Sequence, residues 1–302
     1  MEIKTKRYYF YYLAAIGGFI VALLPLWVGF FLANIAGRFI FAILYKDRRR
    51  AIGNLKSAFP EKTDAEIRRI TKGVFTNLCK SGVEIANTYK LNRVNIDRWV
   101  SSEGFEKVDR ALSKGKGVII LASHFGNWEL MALYYAIKGY PCNTIARRIY
   151  FDRYDRFINK VRSSWGINVI FRDGSLKKIL KKLKQNEAMG ILADQDMDSV
   201  DGIFVDFFGK PAYTPRGPVA LALASGAPLI PSFIIRQKQG HKLIVSDPIE
   251  LVKKNDREET IRYNTQKWTR VFEEYIRKYP EQWVWMHRRW KTKPAGKKEQ
   301  AA

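Results

Sequence analysis

The chain begins with a long stretch of apolar and uncharged residues. From Tyr8 to Gly37 no residue is charged, and the apolar pattern continues, interrupted by Arg38, to residue 44. A membrane-spanning helix needs about 20 apolar residues, so this stretch is long enough to cross a bilayer. A secretory signal peptide, with an apolar core of about 7–15 residues before a cleavage site, is a second interpretation, and a long core helix is a third. We favour the first and predict a membrane anchor over residues 1–46, with its hydrophobic segment at 8–44.

The flanks of this stretch carry tyrosines and basic residues. Such residues concentrate at membrane–water interfaces, and Lys and Arg favour the cytoplasmic side. The flank that follows the stretch is the more basic one, with Lys46, Arg48, Arg49 and Arg50. We therefore expect the rest of the chain on the cytoplasmic face of the inner membrane. Pro25 predicts a break within the stretch, and both a spanning helix followed by an interfacial helix and a re-entrant hairpin fit the pattern.

Beyond the anchor, short apolar runs alternate with amphipathic stretches. Apolar runs predict strands at 117–123, 144–146, 167–171, 188–193, 229–235 and 243–245. Helical spacing predicts helices at 62–90, 127–138, 152–165, 175–185, 214–225 and 256–278, and Thr63 with Glu66 has the spacing of a capping box. Strands that alternate with helices predict an α/β domain with a mainly parallel central sheet flanked by helices. We assign this domain to residues 47–294, followed by a polar tail at 295–302.

Composition adds a strong positive charge to this picture. The 302 residues carry a formal net charge of +24, and 47% of them are hydrophobic, which excludes a disordered polycation. Nucleic acid, an anionic membrane and acidic substrates or proteins are the partners that such a charge attracts. The chain has only two cysteines and three histidines, so we expect neither a disulfide framework nor a metal site.

Candidate chemistry concentrates after the strand predicted at 117–123. His124 follows that strand, Gly126 permits a sharp turn, and Asn127 is suited to cap the next helix. Glu129 then lies in the first helical turn, and we expect its carboxylate to fold back onto the His124 ring and orient it, as the acid of a catalytic triad does. Ligand sites of open α/β sheets lie at such strand ends. A structural histidine beside a solvated glutamate is the alternative.

The segment HFGNWE, with His124 and Glu129, resembles the H-x4-D/E signature of membrane acyltransferases. Its Glu form is similar to the lipid A biosynthesis acyltransferases, the lauroyl and myristoyl enzymes. Further blocks match that family in order: RRRAIGNLKSAFPE from Arg48, the DQD at Asp194–Asp196, VDFFGKPAYTPRGPVALALASGAPLIP from Val205, and WVWMHRRWK from Trp283. The resemblance implies a glycerol-phosphate-acyltransferase-like fold. It also implies a membrane-bound enzyme that transfers a fatty acyl chain from an acyl carrier protein or CoA thioester to a hydroxyl of a lipid A precursor.

The resemblance also implies roles for particular residues. His124 is the general base, Glu129 is its orienting partner, and Arg162 and Asp194 are further site residues. Asp194 is equally well explained as a buried, hydrogen-bonded acid. Guanidinium groups bind phosphate, which suits Arg162 and the pair Arg147 and Arg148 for a phosphorylated lipid head. The segment ARRIYFDRYD lacks the proline that usually follows the family's arginine, which weakens the assignment of Arg147 and Arg148. The reaction requires no cofactor other than the thioester co-substrate.

Two basic segments have competing interpretations. A lysine-rich helix face at 177–184 is either simply solvated or a docking surface for the acidic acyl carrier protein. Tryptophans and basic residues interleave at 283–291, a pattern that serves nucleic-acid stacking, a bilayer surface or core packing, and we favour the last two. The alternative functions are an acyltransferase for another phospholipid or glycolipid, and a non-enzymatic membrane-anchored binder of anionic lipid or nucleic acid. We expect no nucleic-acid partner.

Overall fold

The computed structural model describes residues 2–148, 151–172, 176–197 and 199–294, and the polar tail predicted at 295–302 lies outside them. The helices are α1 (Glu2–Leu23), α2 (Leu26–Ile43), α3 (Tyr45–Ala58), α4 (Asp64–Asn87), α5 (Glu106–Leu112), α6 (Trp128–Ile137), α7 (Asp152–Ser164), α8 (Leu176–Lys184), α9 (Gly217–Ser225) and α10 (Arg257–Lys278). The strands are β1 (Val100–Glu103), β2 (Val118–Ala122), β3 (Cys142–Ala146), β4 (Asn168–Phe171), β5 (Ala188–Leu192), β6 (Gly202–Phe207), β7 (Lys210–Pro215), β8 (Leu229–Arg236) and β9 (His241–Val245).

Seven strands form the central sheet in the order β1-β9-β8-β2-β5-β3-β4. Neighbouring strands are parallel except for β8 and β9, which are antiparallel. One apolar core joins a face of the sheet to α4, α8, α9 and α10, and a second core joins the opposite face to α5 and α6. The predicted α/β class, with a mainly parallel sheet flanked by helices, is therefore confirmed.

Local signals located several helix ends well. The predicted capping box begins α4: the Thr63 hydroxyl accepts a hydrogen bond from the Glu66 backbone N–H, and the Glu66 carboxylate accepts one from the Thr63 N–H. These bonds satisfy two backbone donors that the start of a helix leaves without partners. The helix predicted from residue 214 starts too early, because β7 continues to Pro215 and α9 begins only at Gly217.

The prediction missed three strands. β1 is a short edge strand on which only Val100 is buried, so it lacks an apolar alternation. The hairpin of β6 and β7 forms a separate two-stranded sheet. Its turn uses Phe208 and Gly209, both at positive φ, instead of the usual Asn-Gly or Asp-Gly, and prolines in β7 further mask the strand pattern.

The apolar N-terminal stretch forms α1 and α2, which are separated at Pro25 as predicted. Small residues on one face of α2, with Phe41, pack against α4, and the end of α1 is fixed to the end of α4 by Lys90 Nζ, which donates to the Ala22 carbonyl (2.8 Å). The opposite face of α2 exposes large apolar side chains: Trp27, Phe31, Ile35, Phe39 and Ile43. In the described part of the chain, α2 alone is a full-length candidate for crossing a membrane, and most of it is not buried in the protein. This exposed apolar surface is consistent with membrane association.

Candidate active site

The register of two parallel strands brings His124 and Asp194 together. β2 and β5 are neighbours, and Ala122 at the end of β2 lies opposite Leu192 at the end of β5. His124 and Asp194 each follow two residues later, so both extend beyond the carboxyl end of the sheet at matching positions. His124 therefore lies at the strand end that the sequence predicts, and its neighbour comes from a distant part of the chain.

The Asp194 carboxylate contacts both the backbone N–H and the ring of His124. The backbone N–H of His124 donates to Asp194 Oδ2 (2.9 Å), and the ring Nδ1 lies 2.8 Å from Oδ1. The indole N–H of Trp283 donates a further hydrogen bond to Oδ2 (2.8 Å). Burial by itself raises the pKa of Asp194, but the charge and hydrogen bonds of His124, together with the charge of His287, outweigh it and hold the pKa well below its ordinary range. Asp194 is thus an ionised carboxylate that fixes the orientation of the ring.

The expected contact between Glu129 and the His124 ring is wrong. Both carboxylate oxygens of Glu129 bind the guanidinium group of Arg162 on α7, through Nε to Oε2 (3.0 Å) and through Nη2 to Oε1. The pair is mostly shielded from solvent, with 11% of the Glu129 side chain and 16% of the Arg162 side chain exposed. Position five after His124 falls in the first turn of α6, where Glu129 is within reach of α7, whereas the end of β5 supplies the acid next to the ring. The sequence predicted that Glu129 and Arg162 both belong to the site. It did not predict that they bind each other.

Gln195 and His287 complete the surroundings of the ring. The Gln195 amide nitrogen lies 3.1 Å from His124 Nε2 and 2.6 Å from His287 Nε2. The rings of Trp128 and His287 pack edge-on against the His124 ring, with centroids 5.0 and 5.1 Å away. Sequence reasoning did not assign Gln195 or His287 to the site, although both belong to blocks that it had singled out. A polar triplet directly after a strand was the available signal for Gln195.

The C-terminal segment forms one wall of the site. The Gly126 N–H donates to the Gln282 carbonyl (2.8 Å), and the Val284 N–H donates to the His124 carbonyl (3.1 Å). Gly126 has φ +57°, and a Cβ there would lie 1.8 Å from the Ile234 carbonyl oxygen, so only glycine fits this turn. Trp283 and Trp285 are fully buried, which confirms core packing as the role of these two tryptophans.

The remaining predicted site residues lie at the surface. Arg147 and Arg148 follow β3 and are both exposed, and the Arg148 guanidinium stacks over the Phe171 ring at 4.2 Å. No hydrogen bond or ion pair described in the structure joins either arginine to the His124 ring or to the Glu129–Arg162 pair. On α8, Lys177, Lys178, Lys181 and Lys184 are exposed. The described residues contain no group of three or more His, Cys, Asp or Glu side chains arranged to hold a metal ion.

A mostly apolar cavity of about 60 Å³ lies next to the ion pair, between α6 and the sheet. We call it the α6 cavity. Glu129, Arg162 and Trp128 line its polar end, and apolar side chains of α6 and of the strands line the rest, including Ile120, Met131, Tyr135, Ile191 and Leu192. Its lining suits an apolar ligand with a polar end group.

The lowered pKa values of two buried histidines predict that the protein loses stability in mildly acidic solution. Burial lowers the pKa of His241 to about 4, and burial together with the charge of His124 lowers the pKa of His287 to about 4. An unfolded histidine titrates near 6.5, so between pH 6.5 and 4 the unfolded chain binds protons that the folded chain does not. Stability from these groups is complete above pH 6.5 and is lost as the pH falls toward 4.

His241→Gln should therefore flatten the pH dependence of the free energy of unfolding, by up to about 1.4 kcal/mol per pH unit within this range. Denaturant titrations of the detergent-solubilised protein between pH 4.5 and 7.5 measure the slope. An unchanged slope would show that His241 is protonated in the folded protein.

Comparison with known proteins identifies the family of the chain. The family model for bacterial lipid A biosynthesis acyltransferases matches residues 1–292. The chain is 28% identical over 265 residues to the lipid A biosynthesis lauroyltransferase of Escherichia coli K12, which covers 84% of this chain and 83% of that protein. It is 24% identical over 265 residues to the lipid A biosynthesis palmitoleoyltransferase of the same organism, covering 82% and 81%.

The chain also matches a different kind of acyltransferase over a shorter length. Over 151 residues the chain is 32% identical to the phosphatidylinositol mannoside acyltransferase of Mycobacterium tuberculosis, which covers 48% of this chain and 46% of that protein. The family model, by contrast, extends over almost the whole chain. The protein therefore belongs to the bacterial lipid A biosynthesis acyltransferase family and is an acyltransferase.

Proposed function

We propose that this enzyme transfers a fatty acyl chain from the thioester of acyl carrier protein or CoA to a hydroxyl group of a lipid A precursor, with His124 as general base. The observation that carries the proposal is the buried Asp194 carboxylate bound to Nδ1 of His124, which leaves the opposite ring nitrogen for proton transfer. The family membership supports the lipid A acceptor, because the relatives that match over most of their length act in lipid A biosynthesis.

Asp194 selects the tautomer that the reaction needs. Its carboxylate accepts a hydrogen bond from Nδ1–H, so the lone pair of a neutral His124 ring is at Nε2. As the acceptor hydroxyl oxygen attacks the thioester carbonyl carbon, Nε2 takes the hydroxyl proton. The carbon–sulfur bond then breaks, the imidazolium returns the proton to the leaving thiolate, and an ester and a free thiol result. The Gln195 amide nitrogen lies 3.0 Å from Nδ1 and 3.1 Å from Nε2 of the ring, and the acceptor hydroxyl displaces it to reach Nε2.

The start of α6 supplies charge stabilisation. Asn127 caps the helix by accepting a hydrogen bond from the Leu130 N–H (3.1 Å), which fixes the orientation of the first turn. Attack on the thioester creates an oxyanion, and N–H groups at a helix start are suited to bind it. We assign this role to the backbone amides of Trp128 and Glu129.

The Glu129–Arg162 pair acts as a positioning unit. Glu129 engages Nε and Nη2 of Arg162 and holds the guanidinium at the polar end of the α6 cavity, which leaves Nη1 for a phosphate or carbonyl oxygen. Arg147 and Arg148 add positive charge at the surface for a phosphorylated lipid head. Glu129 thus contributes through Arg162, and Asp194 provides the orienting contact to His124.

The α6 cavity suits the acyl chain, and this assignment predicts an effect of Gly190. Gly190 lies in the cavity wall, and a Cβ there would meet only the Asn143 carbonyl oxygen, at 3.5 Å. A leucine at this position therefore fits the strand and fills the cavity. Because each buried methylene contributes about 0.8 kcal/mol, Gly190→Leu should lower the rate with long acyl donors roughly tenfold or more and spare short ones.

Competition between acyl donors of different chain length, read by product mass, measures the effect of Gly190→Leu. Gly190→Ala is the matched control, with a much smaller shift expected. An unchanged chain-length preference in the leucine variant would place the acyl chain elsewhere.

We assign the enzyme to the cytoplasmic face of the inner membrane. The exposed apolar side of α2 supports contact with the bilayer, and the groove between α2 and α4 is lined by Arg38, Arg68, Arg69, Lys72 and Lys80, which favour an anionic leaflet. The exposed lysines of α8 have the charge to receive acyl carrier protein, which is acidic. The reaction needs no metal or cofactor besides the thioester.

The proposal is tested by supplying detergent-solubilised enzyme with acyl carrier protein and CoA donors and with a set of lipid acceptors. The set contains a lipid A precursor, a phosphatidylinositol mannoside and a lysophospholipid. Product mass identifies donor, chain and acceptor together, and we expect acylation of the lipid A precursor. Transfer only to the phosphatidylinositol mannoside would show that the acceptor is a mannoside lipid and not a lipid A precursor. Membrane binding without transfer to any acceptor would favour the non-enzymatic alternative.

A further inference from the structure

A second cavity, of about 190 Å³, lies between the start of α2, the middle of α4 and the turn from β8 to β9. We call it the β8–β9 cavity. His124, Asp194, Glu129 and Arg162 are not among its lining residues. Unlike the α6 cavity, it has a wall of charged and polar side chains, and the acyl-transfer mechanism uses none of them.

Two buried side chains of the wall contain polar atoms without partners in the described structure. His241 is 3% exposed, and neither of its ring nitrogens has a hydrogen-bond partner in the described structure, although Nε2 lies 3.4 Å from Glu84 Oε1. Nε of Arg236, on a side chain that is 10% exposed, is also unpartnered. Buried polar atoms are nearly always hydrogen-bonded in proteins, so these atoms are available to bind a polar group that enters the cavity.

The acid of the cavity is already neutralised. The Glu84 carboxylate receives two hydrogen bonds from the Arg236 guanidinium, through Nη1 to Oε1 and through Nη2 to Oε2 (3.0 Å), and a third from the Asn127 amide (2.7 Å). Glu84 therefore has little capacity left to attract a cation or to repel an anion. The remaining charges decide which ligand the cavity takes.

The remaining charges are all positive. Lys80, Arg98 and Lys238 line the cavity, and none of them belongs to an ion pair described for the chain. Burial and, next, the charge of Arg236 lower the pKa of Lys80, whereas Glu84 raises it. An anion in the cavity would relieve this repulsion. Lys and Arg side chains of this kind bind phosphate.

The apolar side of the cavity points to the rest of the ligand. Leu26 and Phe30, from the first turns of the exposed apolar helix α2, form one wall. We propose that the β8–β9 cavity binds the phosphate group of an anionic lipid whose acyl chains lie along α2, at a site separate from the acceptor site at His124. Such a ligand places the phosphate among the unpartnered donors and the acyl chains in the bilayer.

Trp99 provides a local probe, because it lines this cavity and not the α6 cavity. We would titrate the full-length protein in detergent with dihexanoyl phosphatidic acid and follow tryptophan fluorescence. Inorganic phosphate and dihexanoylglycerol are titrated in parallel. The expected result is a saturable signal with the phosphatidic acid that Trp99→Phe removes. Lys80→Ala with Arg98→Ala should weaken binding at least tenfold.

The control is Arg262→Ala with Arg270→Ala, which removes the same charge from exposed positions of α10 and should leave the affinity unchanged. His241→Gln, which keeps one donor and one acceptor, should weaken binding less than the loss of Lys80 and Arg98. Equal affinity for inorganic phosphate would overturn the lipid assignment. Equal affinity for dihexanoylglycerol, a signal that persists in Trp99→Phe, or unaltered binding in the Lys80 and Arg98 variant would overturn the phosphate site.

Discussion

His124→Ala and Asp194→Asn should each lower the rate of acyl transfer by about 10²–10⁴-fold, and the double variant should lose little more than either single variant. The structural basis is the 2.8 Å contact between His124 Nδ1 and Asp194 Oδ1. An asparagine keeps the size of the side chain, but its amide donates to Nδ1 and stabilises the tautomer with the proton on Nε2. That tautomer cannot accept the proton of the acceptor hydroxyl.

The two residues act as one unit, because Asp194 contributes to the chemistry only through the ring of His124. Once the ring is gone, the carboxylate has nothing left to orient, so the two losses do not add. Single-turnover transfer with saturating donor measures the chemical step. If the double variant were slower than His124→Ala by the full Asp194→Asn factor, the two residues would act independently and the proposed tautomer control would be wrong.

Asp196→Asn is the matched control for the Asp194 variant. Asp196 belongs to the same segment, but its carboxylate accepts hydrogen bonds from the Thr292 N–H and hydroxyl (both 2.8 Å) and so fixes the C-terminal segment. We expect its loss to reduce stability and to leave the rate of the folded enzyme within a fewfold of the original. A loss as large as that of Asp194→Asn would mean that general damage to this segment explains both effects.

The sequence placed His124 correctly because its signals are local. A buried strand, a glycine turn and a helix cap follow one another within a few residues, and each restricts the backbone directly. The identity of the acid next to His124 depends instead on which strand neighbours β2. The sheet order puts β5 there, although β3 and β4 come first in the chain. No local pattern reports that choice, so the five-residue spacing to Glu129 suggested the wrong contact.

The same distinction explains the other differences. The capping box of α4 and the break at Pro25 are properties of neighbouring residues, and both were predicted. The β6–β7 hairpin depends on a turn with Phe208 at positive φ, which a bulky side chain adopts only when the surrounding structure imposes it. The cluster of Gln195 and His287 around His124 joins two distant segments, and the chain reveals it only once folded.

Glu129→Ala and Arg162→Ala should each lower transfer by roughly a hundredfold, and their effects should couple strongly with each other. Each loss leaves the other charge largely buried without its partner, a defect that typically costs about 3–5 kcal/mol of stability and displaces the remaining side chain. Because the pair acts through the guanidinium at the polar end of the α6 cavity, which we assign to the acyl chain, we expect the apparent KM for the acyl donor to rise more than kcat falls.

A double-mutant cycle separates this role from the one that the H-x4-E spacing suggests. If Glu129 positions Arg162, the variant lacking both residues is scarcely slower than either single variant, and Glu129→Ala adds its full effect to that of Asp194→Asn. If Glu129 instead orients His124, the coupling appears with Asp194 and His124 and is absent with Arg162. Glu129→Gln, which keeps the side-chain size and one acceptor oxygen for the guanidinium, should show a smaller rise in KM than Glu129→Ala. Full activity of Glu129→Gln would show that the negative charge of Glu129 is not needed to hold Arg162 in place.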